Sequence, residues 1–202
     1  LGYIGEGTTA EGDFHEALTF ASVYKAPVIL CVTNNQWAIS SYSGIAGAEA
    51  TTFAAKALAY GLPGLRVDGN DFLAVWSATK WAAERARNNL GATLIEFFTY
   101  RAAGHSTSDD PTKYRPADEA EHWPLGDPLE RLKHHLISMG EWDEERHEAL
   151  TDELSETVRA AVKEGEAVGT LGQSKPSVRE MFEGVFAEPD WRVLEQRREV
   201  GI

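Results

Sequence analysis

Along the first hundred residues, short apolar runs alternate with stretches in which apolar positions recur every three or four residues. This pattern predicts strands joined by helices. Leu1-Gly2-Tyr3-Ile4 is the first run and ends in the glycine turn Gly5-Glu6-Gly7. Thr8-Thr9-Ala10-Glu11 has the capping-box pattern of a helix start, and Ala17, Leu18, Ala21 and Tyr24 continue at helical spacing until Pro27 forbids extension. Val28-Ile29-Leu30-Cys31-Val32 is unbroken, as expected of a parallel strand covered on both faces. A second helix is predicted over 51–60, ended by Gly61, with Leu65-Arg66-Val67 as a third strand. Asp71 caps a further helix running to about Asn89, with Phe72, Val75, Trp76, Thr79 and Ala83 on one face; Gly91 ends it and 93–99 forms a fourth strand.

The fold class is therefore α/β, a parallel sheet with helices on both faces, in which the first strand has no upstream neighbour within this sequence. The character changes after Pro116. Pro128, Leu129, Leu132, Leu136 and Met139 define a helix closed by Gly140, and Asp143-Glu144-Glu145 opens another reaching about Glu164. A polar linker is expected over 165–176, then an amphipathic turn set of Val178, Met181, Phe182 and Val185, and a charged helix from Trp191 to Val200. Two regions follow: an α/β domain over 1–116 and a helical region over 117–202 that suits subunit contacts.

Composition narrows the function classes. With 43% hydrophobic residues and six tryptophans the chain can bury a core, while a net charge of −13 argues against nucleic acid. No stretch is long enough to span a bilayer. The single Cys31, mid-strand, reads as a small buried apolar residue in a reducing compartment. The sequence begins almost inside a strand, without an initiator methionine, and is expected to be the C-terminal half of a longer chain.

A helical crossover makes the first two strands parallel, so their carboxyl ends face one crevice carrying the Glu6 carboxylate and the Asn35 amide. Gly5-Glu6-Gly7-Thr8-Thr9-Ala10 also fits the loose dinucleotide fingerprint G-x-G-x-x-A, in which backbone amides hold a pyrophosphate directly. A carboxylate at the middle position would repel phosphates unless a cation lay between. The second strand ends in Asn34-Asn35 rather than in an acid that could bind a ribose. Both departures favour magnesium, a hard octahedral ion that needs one carboxylate and a few neutral oxygens when phosphate supplies the rest. The bland alternative is two ordinary turns.

A Gly-Glu-Gly turn, twenty-six intervening residues and an Asn-Asn pair resemble the diphosphate half of thiamine-diphosphate enzymes, with Glu6 in place of the usual aspartate. The resemblance implies that Glu6 and Asn35 bind Mg2+ through side chains and Trp37 through its backbone oxygen, while Gly7 and Thr8 meet the diphosphate. Further on, Tyr100-Arg101-Ala102-Ala103-Gly104-His105-Ser106-Thr107-Ser108-Asp109-Asp110-Pro111 follows the strand Leu94-Ile95-Glu96-Phe97-Phe98. Together with Val67-Asp68-Gly69-Asn70-Asp71, Lys113-Tyr114-Arg115 and the helix from Asp127-Pro128 to Gly140, the chain is similar to alpha subunits of branched-chain 2-oxo acid dehydrogenases over essentially its whole length. Pyruvate-specific relatives tend to carry Met-Ser-Asp-Pro or Gly-Asp-Asp after the histidine, whereas His-Ser-Thr-Ser-Asp-Asp is the branched-chain form.

What this implies is oxidative decarboxylation of a branched-chain 2-oxo acid with thiamine diphosphate, then acyl transfer to a lipoyl group on an acyltransferase core. A partner beta subunit would complete the site in an α2β2 heterotetramer. The setting would be the bacterial cytoplasm, or the mitochondrial matrix in a eukaryote. His105 would hold the diphosphate when charged or move a proton to a developing oxyanion. Arg101 with Asp109 and Asp110 would pair and order the loop, and Ser106 matches a regulatory phosphorylation site of mitochondrial relatives. Thr33 departs from relatives that carry a phosphate-binding arginine there, so other basic residues must contribute the charge. His134-His135 reads as a surface pair. The alternatives are a pyruvate or acetoin dehydrogenase alpha subunit, a non-catalytic dinucleotide-binding module, and an interface domain with a dead site.

Overall fold

The computed structural model describes residues 1–47, 50–169, 176–184 and 186–202. Contacts divide the chain into two compact units, Leu1–Trp142 and Asp143–Ile202. Among the described residues no helix is long and apolar enough to cross a membrane.

The first unit begins with β1 (Gly2–Gly5), α1 (Gly12–Val23) and β2 (Ile29–Asn34), followed by the small antiparallel hairpin β3 (Trp37–Ala38) and β4 (Ser41–Tyr42). After a 3-10 helix, Phe53–Tyr60, come β5 (Gly64–Asp68), α2 (Phe72–Arg87) and β6 (Thr93–Phe98). The sheet is parallel throughout, in the order β1-β2-β6-β5. Its register pairs Gly5 with Thr33, Asn34 with Phe98, and Asp68 with the same Phe98, so the four carboxyl ends finish nearly level. That alignment collects the loops after the strands on one edge.

Alternation along the strands sends side chains to two cores. Val32 and Leu94 pack with Phe14, Leu18 and Ala21 of α1 and with Phe53 and Ala57 on one face. Ile29, Cys31, Ile95 and Phe97 pack with Ala82 of α2 on the other. Fully burying a residue such as Leu18 or Ile95 contributes about 1.5–3 kcal/mol, so these positions anchor the sheet.

Three elements differ from the sequence expectation. The capping box is not formed: Glu6–Ala10 is a 3-10 turn, and α1 starts at Gly12 after an extended Glu11 that makes no side-chain cap. The Thr9 hydroxyl instead donates to the Glu6 carbonyl at 2.7 Å, which holds the tighter turn. The helix expected over 51–60 is 3-10 as well. Its first amides are taken by side chains, Ala54 N by Glu96 at 2.9 Å and Ala55 N by Thr52 at 3.2 Å. Asp71 does cap α2, through Ala74 N at 3.0 Å, but the buried face is rotated from the expected one. Val75, Ala78, Ala82 and Ala83 face the sheet, while Phe72 and Trp76 are exposed. Small residues let the helix approach closely, and the bulky pair is left outside.

After Phe98 a long loop and several turns lead to α3 (Pro128–Ser138), capped by Asp127 and followed by Gly140 at φ 76°. This stretch groups with the sheet unit, because Arg131 reaches Asp68 at 2.8 Å and Asn70 donates to the Gly126 carbonyl. The change of character at Pro116 therefore marks the end of the site loop, and the division by contact falls after Trp142.

The second unit holds α4 (Glu144–Val168), a 3-10 turn Val178–Phe182 and α5 (Trp191–Glu199), capped by Asp143, Ser177 and Asp190 respectively. The helix α4 runs through Gly165 to Val168, so the expected linker starts inside it. One glycine costs a helix only about 1 kcal/mol. Residues 170–175 of that linker and Val185 of the expected turn set lie outside the described residues. No described residue of this unit is buried.

Candidate active site at the carboxyl edge of the sheet

Glu6 follows β1 directly and is 1% exposed. Its Oε2 accepts from the Asn35 backbone N–H at 3.4 Å, while Oε1 is buried without a hydrogen-bond partner. Burial pushes its pKa up, against the opposing effects of its own and the Asn35 amide and of the Arg101 charge. A buried carboxylate oxygen with no donor is costly and implies a missing positive group.

Asn35 lies just beyond β2. Its Oδ1 accepts from Trp37 N at 3.1 Å, and its carbonyl accepts from Arg101 N at 3.1 Å. The Trp37 carbonyl accepts from Arg101 Nη1 at 3.0 Å. Glu6, Asn35, Trp37 and Arg101 are thus brought together, as the two-strand argument requires. Gly7 is needed here because a Cβ on it would lie 2.7 Å from the Ala38 Cβ of the hairpin. Thr8 is exposed on the same turn, its carbonyl accepting from Glu11 N at 3.0 Å.

Residues beyond those expected from sequence support this tip. Glu96, 0% exposed in the middle of β6, accepts from Asn34 Nδ2 at 2.7 Å, and Gln36 Nε2 donates to Asn34 Oδ1 at 3.0 Å. Gln36 adopts φ 74°, a left-handed conformation uncommon outside glycine, and its side chain is locked into this network. The missed signal was a lone charge within the apolar strand Leu94-Ile95-Glu96-Phe97-Phe98, which demands a buried partner. On the other side of the turn, Lys56 Nζ donates to Thr9 O at 2.9 Å and Thr9 Oγ1 at 2.8 Å.

The loop after β6 is tied to the tip through Arg101. Its guanidinium donates to the Ile39 carbonyl at 2.8 Å and to the Tyr114 hydroxyl, and lies 3.9 Å from Asp109. The Arg101 and Asp109 side chains are 11% and 13% exposed, so this is not an open surface ion pair. Asp109 Oδ2 accepts from His105 N at 2.7 Å and from the Tyr114 hydroxyl at 2.6 Å. The His105 amide, then Tyr114, hold its carboxyl below the usual range. Arg115 closes the loop base, donating to the carbonyls of Arg101, Ala102 and Ala103. Tyr100 donates to Glu119 at 2.6 Å, and burial followed by that bond pushes its phenol up to about 12.

His105 and Ser106 are exposed on this loop; Ser106 Oγ lies 3.1 Å from Ser108 Oγ. Asp110 does not join Arg101. It caps the turn Pro111–Lys113 through Thr112 N at 3.2 Å and lies 3.8 Å from Lys113, so the local turn takes up its carboxylate.

Among the described residues no group of three or more His, Cys, Asp or Glu is placed to hold a metal. A cation at this tip must draw on neutral oxygens and on its own anion, and the Glu6 Oε1 orphan fits that demand. A dinucleotide fingerprint fits less well, since the glycine turn opens a 3-10 turn and not the N-terminus of α1.

Residues 1–174 match the model of the dehydrogenase E1 component. The chain belongs to this family. It is 59% identical, over 99% of its length and 49% of the relative's, to the 2-oxoisovalerate dehydrogenase subunit alpha of Pseudomonas aeruginosa. The 3-methyl-2-oxobutanoate dehydrogenase subunit alpha of Mycobacterium tuberculosis is 42% identical over 93% of this chain and 50% of its own. The pyruvate dehydrogenase E1 component subunit alpha of Acholeplasma laidlawii is 42% identical over 97% and 56%. The chain thus spans about half the length of the curated relatives it matches. As an E1-family α/β chain, it owes its active-edge geometry to the level strand tips described above.

Proposed function

We propose that this chain carries the diphosphate-binding part of the alpha subunit of a branched-chain 2-oxo acid dehydrogenase. The observation that carries the reading is the buried Glu6 Oε1 without a donor, at a strand tip of an E1-family chain. Glu6 and Asn35 side-chain oxygens and the Trp37 carbonyl would hold Mg2+. Arg101 uses one lone pair of that carbonyl and leaves the other. Gly7 and Thr8 would meet the diphosphate of thiamine diphosphate. When bound, that cofactor supplies the carbon nucleophile from which a 2-oxo acid loses carbon dioxide.

The remaining steps fall to the chain's own side chains. His105, presented by a loop whose base Arg115 fixes, would hold the diphosphate when protonated or move a proton to a developing oxyanion. Arg101, Tyr114 and Asp109 would hold that loop in place. Phosphate on the exposed Ser106 would set negative charge close to Asp109 and loosen the loop. A beta subunit would complete an α2β2 assembly and bind the end of the cofactor remote from the diphosphate, and the acyl group would pass to the lipoyl arm of an acyltransferase core. The setting would be the cytoplasm of a bacterium or the matrix of a mitochondrion.

The test reconstitutes the full-length alpha subunit with its beta subunit. Magnesium-dependent retention of thiamine diphosphate, and turnover of 3-methyl-2-oxobutanoate well above pyruvate, are the expected results. Preference for pyruvate would instead favour the alternative named by the Acholeplasma relative. Binding of NAD in place of thiamine diphosphate would end both readings.

A further inference from the structure

Lys56 sits in the 3-10 helix Phe53–Tyr60, yet its ammonium reaches across to the turn Glu6–Ala10. It makes three hydrogen bonds, to Thr9 O at 2.9 Å, Thr9 Oγ1 at 2.8 Å and Ala46 O at 3.2 Å. All three acceptors are neutral oxygens, and among the described residues Lys56 forms no ion pair. The faces of Phe53 and Phe14 lie 5.3 Å and 5.9 Å from Nζ. Half-buried charges in proteins are ordinarily paired, and this one is fully hydrogen-bonded without an acid beside it among the described residues. Arg101 contrasts with it, since Asp109 already faces that guanidinium.

We propose that the Lys56 ammonium is the fixed countercharge of the diphosphate, a positioning residue that supplies from behind the turn the positive charge Thr33 lacks. The inference rests on the reading of the Glu6–Asn35 tip as a diphosphate site. Thr9 is bonded to Lys56 and also donates to the Glu6 carbonyl at 2.7 Å, so the ammonium is held two residues from Gly7 and one from Thr8 along the same short turn. An ammonium fixed by three bonds needs no reorganisation when an anion arrives. Aromatic faces on one side keep its field from being screened by water. Thr33, at the end of β2, cannot carry charge.

The experiment titrates thiamine diphosphate, and separately inorganic pyrophosphate, each with magnesium, into the alpha–beta heteromer at low and raised ionic strength. Lys56→Gln is expected to weaken both ligands roughly tenfold at low salt, with the loss shrinking as salt rises. The KM for the 2-oxo acid and kcat at saturating cofactor should stay at the wild-type level. Lys56→Arg should restore most of the affinity.

Unchanged affinity in Lys56→Gln overturns the proposal. A loss in Lys56→Gln that does not shrink as salt rises overturns it too, because the lysine would then be a tether rather than a charge. If Lys56→Gln does not assemble, the amine of the wild type decides. Its titration should move upward when magnesium pyrophosphate is added, and an unmoved titration counts against the proposal. A wild-type heteromer that binds no thiamine diphosphate would defeat the reading of the site itself, whereas wild-type binding with an indifferent Lys56→Gln would defeat only this role.

Discussion

Two turns leave the carboxyl edge of the same sheet, and each carries glycine and acid, yet they are built for different ends. At the β5 tip, Asp68 Oδ1 accepts from Asn70 N at 2.9 Å and Oδ2 from Arg131 at 2.8 Å, while Asp71 caps α2 and also meets Arg131 at 3.5 Å. Every acid there has its donors, supplied by the chain itself. At the β1 tip, Glu6 is more deeply buried and has one oxygen with none. An acid satisfied from within is a latch, and here it fastens α3 to the sheet. An acid desolvated and left short of a donor is arranged for something that arrives later.

The contrast breaks first at Glu6. Glu6→Gln removes the charge a divalent ion needs, and magnesium-dependent retention of thiamine diphosphate by the full heteromer should fall about a hundredfold, equivalent to ~2.7 kcal/mol. The same change should stabilise the cofactor-free protein. Burial raises the Glu6 pKa in the folded state, so the folded chain holds its proton more tightly than the unfolded one. Its contribution to stability is complete below the unfolded pKa and is lost as pH rises through the folded value. Above that window the wild type carries the penalty of a buried ionised group and the amide does not. Thermal melts of the cofactor-free heteromer across this pH range should show the two proteins diverging as pH rises. A variant that melts lower than wild type at neutral pH would mean that Glu6 is already paired.

The latch should answer in the opposite sense. Asn70, 3% exposed, accepts from the Thr99 hydroxyl and donates to the Gly126 carbonyl. Asn70→Ala strands both partners and should destabilise the protein by about 1–3 kcal/mol. Breaking the part-exposed pair with Arg131→Met should cost about 1 kcal/mol or less. Neither change should alter the affinity for thiamine diphosphate once folded protein is counted. Denaturant melts and a cofactor titration on the same samples check both halves, and a selective loss of affinity in Asn70→Ala would make the β5 tip part of the site.

Why one tip was legible in the sequence and the other was not follows from what each depends on. The strands are readable from the unbroken apolar run Val28–Val32 and from 94–98, whose apolar run only Glu96 interrupts, because strands covered on both faces are largely apolar, and their parallel register then places Glu6 beside Asn35. Asp71 was readable as a cap because the cap is a local device. The latch at Asp68 depends on Arg131, sixty-three residues away, and no local pattern announces it. Local pattern also misjudges Thr8-Thr9-Ala10-Glu11, where the Thr9 hydroxyl turns back to the Glu6 carbonyl and favours a tight turn over a capped α-helix. The face of α2 is rotated from the expected one because close helix–sheet contact selects alanines over the bulkier Phe72 and Trp76. Asp110 looked interchangeable with Asp109, and only the course of the loop separates them.

The smallest test falls between the two tips, at the loop that Arg101 ties to the Glu6 side. Asp109 is held below the ordinary carboxylate range, first by the His105 amide and then by the Tyr114 hydroxyl. A depressed folded-state pKa gives stability that is present above the unfolded value and is lost as pH falls through the folded one. The loop should therefore stay closed at neutral pH and open only under acid conditions. Tyr114→Phe removes the second of those hydrogen bonds, and with it the acceptor that Arg101 uses, but leaves the His105 amide in place. Its Asp109 pKa should rise part of the way back, so that protease cleavage within 102–110 begins at a less acidic pH than in the wild type, with little change at neutral pH. Cleavage profiles that coincide at every pH would show that the phenol is a bystander and that Arg101, Arg115 and the His105 amide hold the loop without it.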